Sequence, residues 1–162
     1  MYPKTSQLSS LFIVGTLIAA DKTAHADNIN TSATICHSMS GVEQGDINYS
    51  GGAVFNRSTQ SRIIVCPIPR SPLPAGASLT FFVDGSNLPN SSTDCTLTVY
   101  DSNSTASESQ RFVESTGSTF RSWHHPVNLS TPAGISQSWQ AIVQCTLPGN
   151  NGGFILGVTS VQ

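Results

Sequence analysis

The chain has 162 residues, of which only 10% are charged: seven lysines and arginines against nine aspartates and glutamates, for a formal net charge of −2. Cations this sparse cannot supply the cluster of phosphate contacts on which nucleic-acid affinity rests, and anionic membrane surfaces are disfavoured for the same reason. Solubility has to come from the many Ser, Thr, Asn and Gln residues, a composition suited to the outer face of extracellular β-proteins and less typical of enzymes dense in ionisable groups.

The N-terminus carries Lys4, an apolar run over residues 8–20 and the small-residue site Ala24-His25-Ala26. That order predicts a cleavable secretory signal over 1–26, with cleavage after Ala26. The run is shorter than the roughly 20 residues that a permanent membrane helix needs, and no Cys stands at the cleavage site to take a lipid. No second apolar span follows, so no membrane span is expected after signal removal. Residues 27–162 are then one domain, secreted or periplasmic. Both lysines, Lys4 and Lys22, leave with the signal. The remainder has five arginines, Arg57, Arg62, Arg70, Arg111 and Arg121, against eight carboxylates, a charge of −3.

From there on, alternation of apolar and polar residues dominates and turn clusters punctuate it. Short strands are predicted over 33–39, 52–56 and 62–67. Leu79, Phe81 and Val83 form a longer alternating set, and Cys95, Leu97 and Val99 the next. Residues 105–115 spell a capping box, Thr105 with Glu108, but lack apolar residues at helical spacing, so a strand is preferred over 110–114. Another strand is expected over 126–130. Trp139, Ala141, Val143 and Cys145 make a third set, and Phe154, Leu156 and Val158 a fourth, each with its bulky side chains on one face. Loops are assigned to Gly51-Gly52, 67–75, 84–94, 101–107, 131–136 and 148–153. Eight or nine strands without a convincing helix predict an all-β fold: an antiparallel two-sheet β-sandwich, jelly-roll-like or Ig-like. The Cys-Trp-Cys order of Ig domains is absent from its usual place, because Trp123 and Trp139 both fall between the third and fourth cysteines.

Four cysteines, Cys36, Cys66, Cys95 and Cys145, predict two disulfides in an oxidising compartment. The preferred pairing is Cys36 with Cys66 and Cys95 with Cys145. The second pair is the better argued, since Asp94-Cys95-Thr96-Leu97 and Gln144-Cys145-Thr146-Leu147 are matching alternating stretches. Zinc needs clustered spacings such as C-x-x-C, which these cysteines do not have.

Motifs for catalysis are scarce. His37, His124 and His125 fall in no metal-ligand arrangement, and no G-x-S-x-G elbow occurs. On a strand, His124 and His125 point to opposite faces. The eight carboxylates suggest no obvious pair for glycoside hydrolysis. The run Asp101-Ser102-Asn103-Ser104-Thr105 spaces oxygens like a calcium loop but lacks its Gly and closing Glu, so turn chemistry is the simpler reading. No cofactor or metal is expected. An aromatic platform for a sugar ring would draw on Trp123 and His124 with Phe120 and Tyr100, the ring face meeting C–H groups while Asn and Asp make hydrogen bonds; tryptophan in a small β-sandwich is more often core, and that is the main expectation for both Trp123 and Trp139. Six Asn-x-Ser/Thr sequons occur, at Asn30, Asn48, Asn56, Asn90, Asn103 and Asn128, and would matter in a eukaryotic secretory route.

The chain resembles a recurrent class of small secreted bacterial four-cysteine proteins without an assigned activity. The residues that carry the resemblance are Ala33-Thr34-Ile35-Cys36, Gly52-Ala53-Val54-Phe55-Asn56 with Ser58, Ile64-Val65-Cys66-Pro67-Ile68, Asp94-Cys95-Thr96-Leu97 and Val143-Gln144-Cys145-Thr146-Leu147-Pro148. The class typically ends in a Ser-Tyr-x-Val-x-Glu-like strand. Here the end reads Leu156-Gly157-Val158-Thr159-Ser160-Val161-Gln162, a departure. The resemblance implies export and a shared β-fold, and it carries over no catalytic residue. The expected role is non-enzymatic surface recognition, with carbohydrate or a cell-surface protein as partner. The alternatives are a structural subunit that assembles through strand edges and a hydrolase.

Overall fold

The alternating sets fold as their period demands. Leu79, Phe81 and Val83, then Cys95, Leu97 and Val99, then Ala141, Val143 and Cys145 all lie in one buried core, joined by Val127, Leu129 and Trp139. The computed structural model describes residues 28–69, 76–101, 103, 105–132 and 139–161. The expected signal segment 1–26 lies outside the described residues.

Two antiparallel sheets sandwich this core. The six-stranded sheet holds β1 (Asn28–Ser32), β3 (Ile47–Ser50), β4 (Ala53–Asn56), β6 (Ser78–Asn87), β9 (Arg121–Ser130) and β11 (Gly153–Val161). The five-stranded sheet holds β2 (His37–Ser38), β5 (Arg62–Ile68), β7 (Ser92–Tyr100), β8 (Ala106–Ser115) and β10 (Gln140–Leu147). Strand order is β4-β11-β6-β9 in the first and β5-β10-β7-β8 in the second, with β3 beside β4, β1 beside β11 and β2 beside β5. From β4 onward the chain changes sheet at every step except the β7–β8 hairpin. That winding is a jelly roll, and the Ig-like order does not describe it.

Both disulfides join neighbouring strands of the five-stranded sheet. Cys95 and Cys145 stand directly opposite each other on β7 and β10. Cys36, just before β2, is bonded to Cys66 of β5. All four cysteines are buried in the core. The pairing argued from the matching stretches is the one observed.

Several boundaries differ from expectation. Residues 33–39 are a one-turn 3-10 helix (Ala33–Ile35) followed by the two-residue β2, because Ser32 caps the turn through its side chain. β1 and β3 carry too few bulky apolar residues to announce themselves, yet each completes the sheet. β3 and β4 are joined by Gly51-Gly52, both with positive φ, as a two-residue hairpin turn requires. The expected loop at 84–94 begins four residues later, since β6 runs on to Asn87. β9 starts at Arg121 rather than at 126, and Pro126 is tolerated there because β9 is an edge strand.

The largest correction concerns β11. Ile155, not Phe154 or Leu156, points into the core, and the register then slips between Ile155 and Gly157. This β-bulge turns Leu156 outward, 42% exposed, and restores the inward phase at Val158.

Candidate functional site

The bulge in β11 shapes the outer face of the six-stranded sheet. Gly157 pairs with Asp84 of β6, and Asp84 pairs with His124 of β9. A depression of about 520 Å³ lies over Asp84 and Gly157. It is bordered by Asn30 on β1, Leu156 on β11 and Ser122 and His124 on β9.

A carboxylate can only accept hydrogen bonds, so the 2.5 Å contact between His124 Nδ1 and Asp84 Oδ1 places the proton on Nδ1. His124 Nε2 is left available to a ligand. The imidazole is stacked on Phe82, 4.5 Å between ring centres and 13° between planes, which fixes its orientation. Ser86 donates its hydroxyl to the oxygen of Ser122 at 2.9 Å, so the Ser122 hydrogen is in turn free to point at a ligand.

An aromatic ledge adjoins this polar trough. Phe55 on β4 and Phe154 on β11 face each other with ring centres 4.9 Å apart. Phe120, 53% exposed, lies 6.4 Å from Phe154. Phe154, Ser86 and Ser122 share one cross-strand row, so the ledge runs into the trough.

The trio Trp123, His124 and Tyr100 does not form a platform. Trp123 is 6% exposed and lies inside the sandwich, its ring edge-on to Phe112. Gly85 makes room for it, since a Cβ there would sit 2.2 Å from the indole. The indole N–H finds no acceptor among the described residues. Tyr100 ends β7 on the opposite sheet. Only His124 of the three reaches the outer face of the six-stranded sheet, while Trp123 supports the floor of the trough from beneath. Trp139 is fully buried.

His125 points the other way from His124. It lies between the sheets, 2.6 Å from Glu114 of β8 and stacked on Phe112 at 4.0 Å. His37 is exposed on β2, opposite Val65. A hydrolase would need His124 to reach a hydroxyl. Ser122 lines the same trough, but its hydrogen bond is to Ser86, and among the described residues none joins His124 to a hydroxyl. Asp101 Oδ1 accepts the backbone N–H groups of Asn103 and Thr105, so that carboxylate closes a turn. Among the described residues no three His, Cys, Asp or Glu side chains gather as a metal site would require, and no helix is long and apolar enough to cross a membrane.

Of the six sequons, Asn56 is fully buried. Its Nδ2 donates to the carbonyls of Gln60, Leu147 and Pro148 at 2.7, 3.1 and 3.2 Å, and its Oδ1 accepts from the Ser58 N–H. Asn30, by contrast, is exposed at the trough.

Asp84, Ser122, Leu156 and Phe154 were not read as site residues in the sequence. Asp84 could have been found by extending the Leu79, Phe81, Val83 alternation one residue further, which places it on the outer face.

No family model matches the chain, and no curated protein matches it. Among solved structures, the enzymatically active domain of bacteriophage CBA120 tailspike protein 4 is 11% identical with a TM-score of 0.42, covering 67% of this chain; the chain spans only 14% of that one. The C-terminal family 6 carbohydrate-binding module of a laminarinase from Zobellia galactanivorans is 9% identical, with a TM-score of 0.46 over 84% of this chain and 100% of that one. A family 35 carbohydrate-binding module from Clostridium thermocellum is 15% identical, with a TM-score of 0.45 over 83% and 98%. Likeness at this level says nothing about what this chain binds.

Proposed function

We propose that this protein is exported through its N-terminal signal and binds carbohydrate on the outer face of its six-stranded sheet, without catalysing a reaction. The observation that supports this most is the meeting of two chemistries on one open surface. Phe120, Phe154 and Leu156 offer apolar faces to the C–H side of a sugar ring, and Asp84, His124, Ser122 and Asn30 offer acceptors and donors to its hydroxyls. Two disulfides suit the oxidising compartment that this role implies.

A glycan array with the natively exported protein, followed by calorimetric titration of the hits, tests the reading. Asp84→Ala and Phe120→Ala, both at solvent-accessible positions, are expected to weaken binding by at least about tenfold with little change in melting temperature. Binding that survives both substitutions, or no glycan binding at all, would refute it. N-terminal sequencing of the exported protein should begin at Asp27.

A second reading, self-assembly through strand edges, draws on β8, a ten-residue strand at the edge of the five-stranded sheet with Val113 exposed. Glu108, Arg111 and Glu114 on the same strand work against such pairing. Sedimentation over a wide concentration range separates the two, since only assembly predicts growth of the particle.

A further inference from the structure

The trough's lining is drawn from four strands that are consecutive neighbours, and this constrains its ligand. Asn30 lies on β1, Leu156 and Gly157 on β11, Asp84 on β6 and His124 on β9. Neighbouring strands stand about 4.8 Å apart, so the band from β1 to β9 is roughly 14 Å long. That is longer than one sugar ring, and it runs across the strands.

The charge along the band is equally restrictive. Among the described residues Asp84 is its one carboxylate, and His124 already donates Nδ1–H to it. Among the described residues no arginine lines the trough. Arg62 is engaged by Glu43 and Asp46, Arg111 by Asp94 on the other sheet, and Arg57 by the Gly45 carbonyl, while Arg121, at the exposed start of β9 next to Ser122, is not among the residues that line the trough. A ligand carboxylate or sulfate laid over this band would meet Asp84 with no arginine in the described lining to offset the repulsion. A neutral hydroxyl would instead donate to the Asp84 oxygen that His124 leaves unused.

On the carbohydrate reading above, we infer that the ligand is a stretch of at least two or three units of a neutral glycan, lying across β1, β11, β6 and β9, and that glycans bearing carboxylates or sulfates are turned away by Asp84.

The test uses the full exported protein and calorimetric titration with gluco-, xylo-, manno- and galacto-oligosaccharides of one to six units, alongside oligogalacturonates of the same lengths. In the neutral series that binds, affinity should rise about tenfold or more from one unit to three and then level off, as successive units fill the band. Oligogalacturonates should bind at least about tenfold more weakly than the neutral series, and Asp84→Asn should shrink that gap to within about threefold by removing the charge alone. A monosaccharide that binds as tightly as the trisaccharide overturns the inference. So does a uronate that matches the neutral chains on the unmodified protein, or a gap unchanged in Asp84→Asn. In each of those cases carbohydrate binding itself stands. If none of these sugars binds, the carbohydrate reading falls and takes this inference with it.

Discussion

Asp84 and Trp123 show how far single residues could be read. Asp84 follows an unbroken apolar alternation, so its outward phase was available in the sequence, yet the Gly85 after it looks like the start of a loop. In the structure Gly85 is a strand residue, and its missing side chain is the space that the Trp123 indole occupies. Trp123 beside His124 leaves room for an exposed aromatic, although a core tryptophan is the main expectation and is what the structure has. The period-2 geometry of β9 allows only one of two adjacent residues to face outward, and the apolar Val127 and Leu129 in phase with Trp123 send it inward. Gly85→Ala should therefore destabilise the protein by about 1–3 kcal/mol, because the added methyl meets the buried indole. Chemical denaturation measures this, and a shift in Trp fluorescence would report the displaced ring. An unchanged midpoint would mean that Trp123 has room to move.

Elements were legible where bulky residues alternate and obscure where they do not. β6, β7 and β10 stand out because each places a run of large apolar side chains on one face. β1 (Asn-Ile-Asn-Thr-Ser) and β3 (Ile-Asn-Tyr-Ser) carry almost none, and are held by backbone pairing to β11 and β4. β11 misled for a different reason. Phe154, Leu156 and Val158 alternate in the sequence, but Ile155 is the residue that packs, and the bulge at Leu156 changes the phase within the strand. Since the trough lies at this bulge, what hid the strand's register also hid the site.

Two predictions belong to this scale. Replacing Cys95 and Cys145 together by Ala should cost about 4 kcal/mol, and the Cys36 and Cys66 pair slightly less because it closes a shorter loop. Denaturant midpoints of the two double variants give the comparison, and negligible losses would show that the cross-links do not constrain the unfolded chain.

The second concerns Arg111 on β8 and Asp94 on β7, whose two-point hydrogen bonding lowers the Asp94 carboxyl from its ordinary value of 3.8. A carboxyl lowered in the folded state adds stability above its unfolded value, and loses it as pH falls through the folded value. The stability difference between the native protein and Arg111→Gln should thus be present at neutral pH, small because the pair is exposed, and should close below pH 3.8. A difference that persists at lower pH would assign it to packing of the arginine stem instead.

At the scale of the whole molecule, the two-sheet sandwich was legible, because each apolar face needed another to cover it. The jelly-roll winding was not, since it depends on which strand ends meet across the sandwich, and short alternating stretches do not encode their neighbours. The functional consequence lies in the contrast between the two outer faces. The five-stranded sheet presents Asp94, Arg111, Thr96 and Gln144 beside half-buried Ile63, Val65 and Ile142 and the exposed Val113, with no aromatic ring among them. The six-stranded sheet gathers Phe55, Phe120, Phe154, Leu156, Asp84 and His124 on one open surface. Apolar groups concentrated beside convergent polar ones mark an interaction surface.

The direct test of this contrast is a backbone amide NMR titration of the exported protein with whichever oligosaccharide the array selects. Shifts confined to Asn30, Asp84, Gly85, Phe120, Ser122, His124, Phe154, Leu156 and Gly157, with β7 and β8 unmoved, are the predicted result. Shifts that map to the five-stranded sheet, or no shifts at saturating sugar, would contradict it.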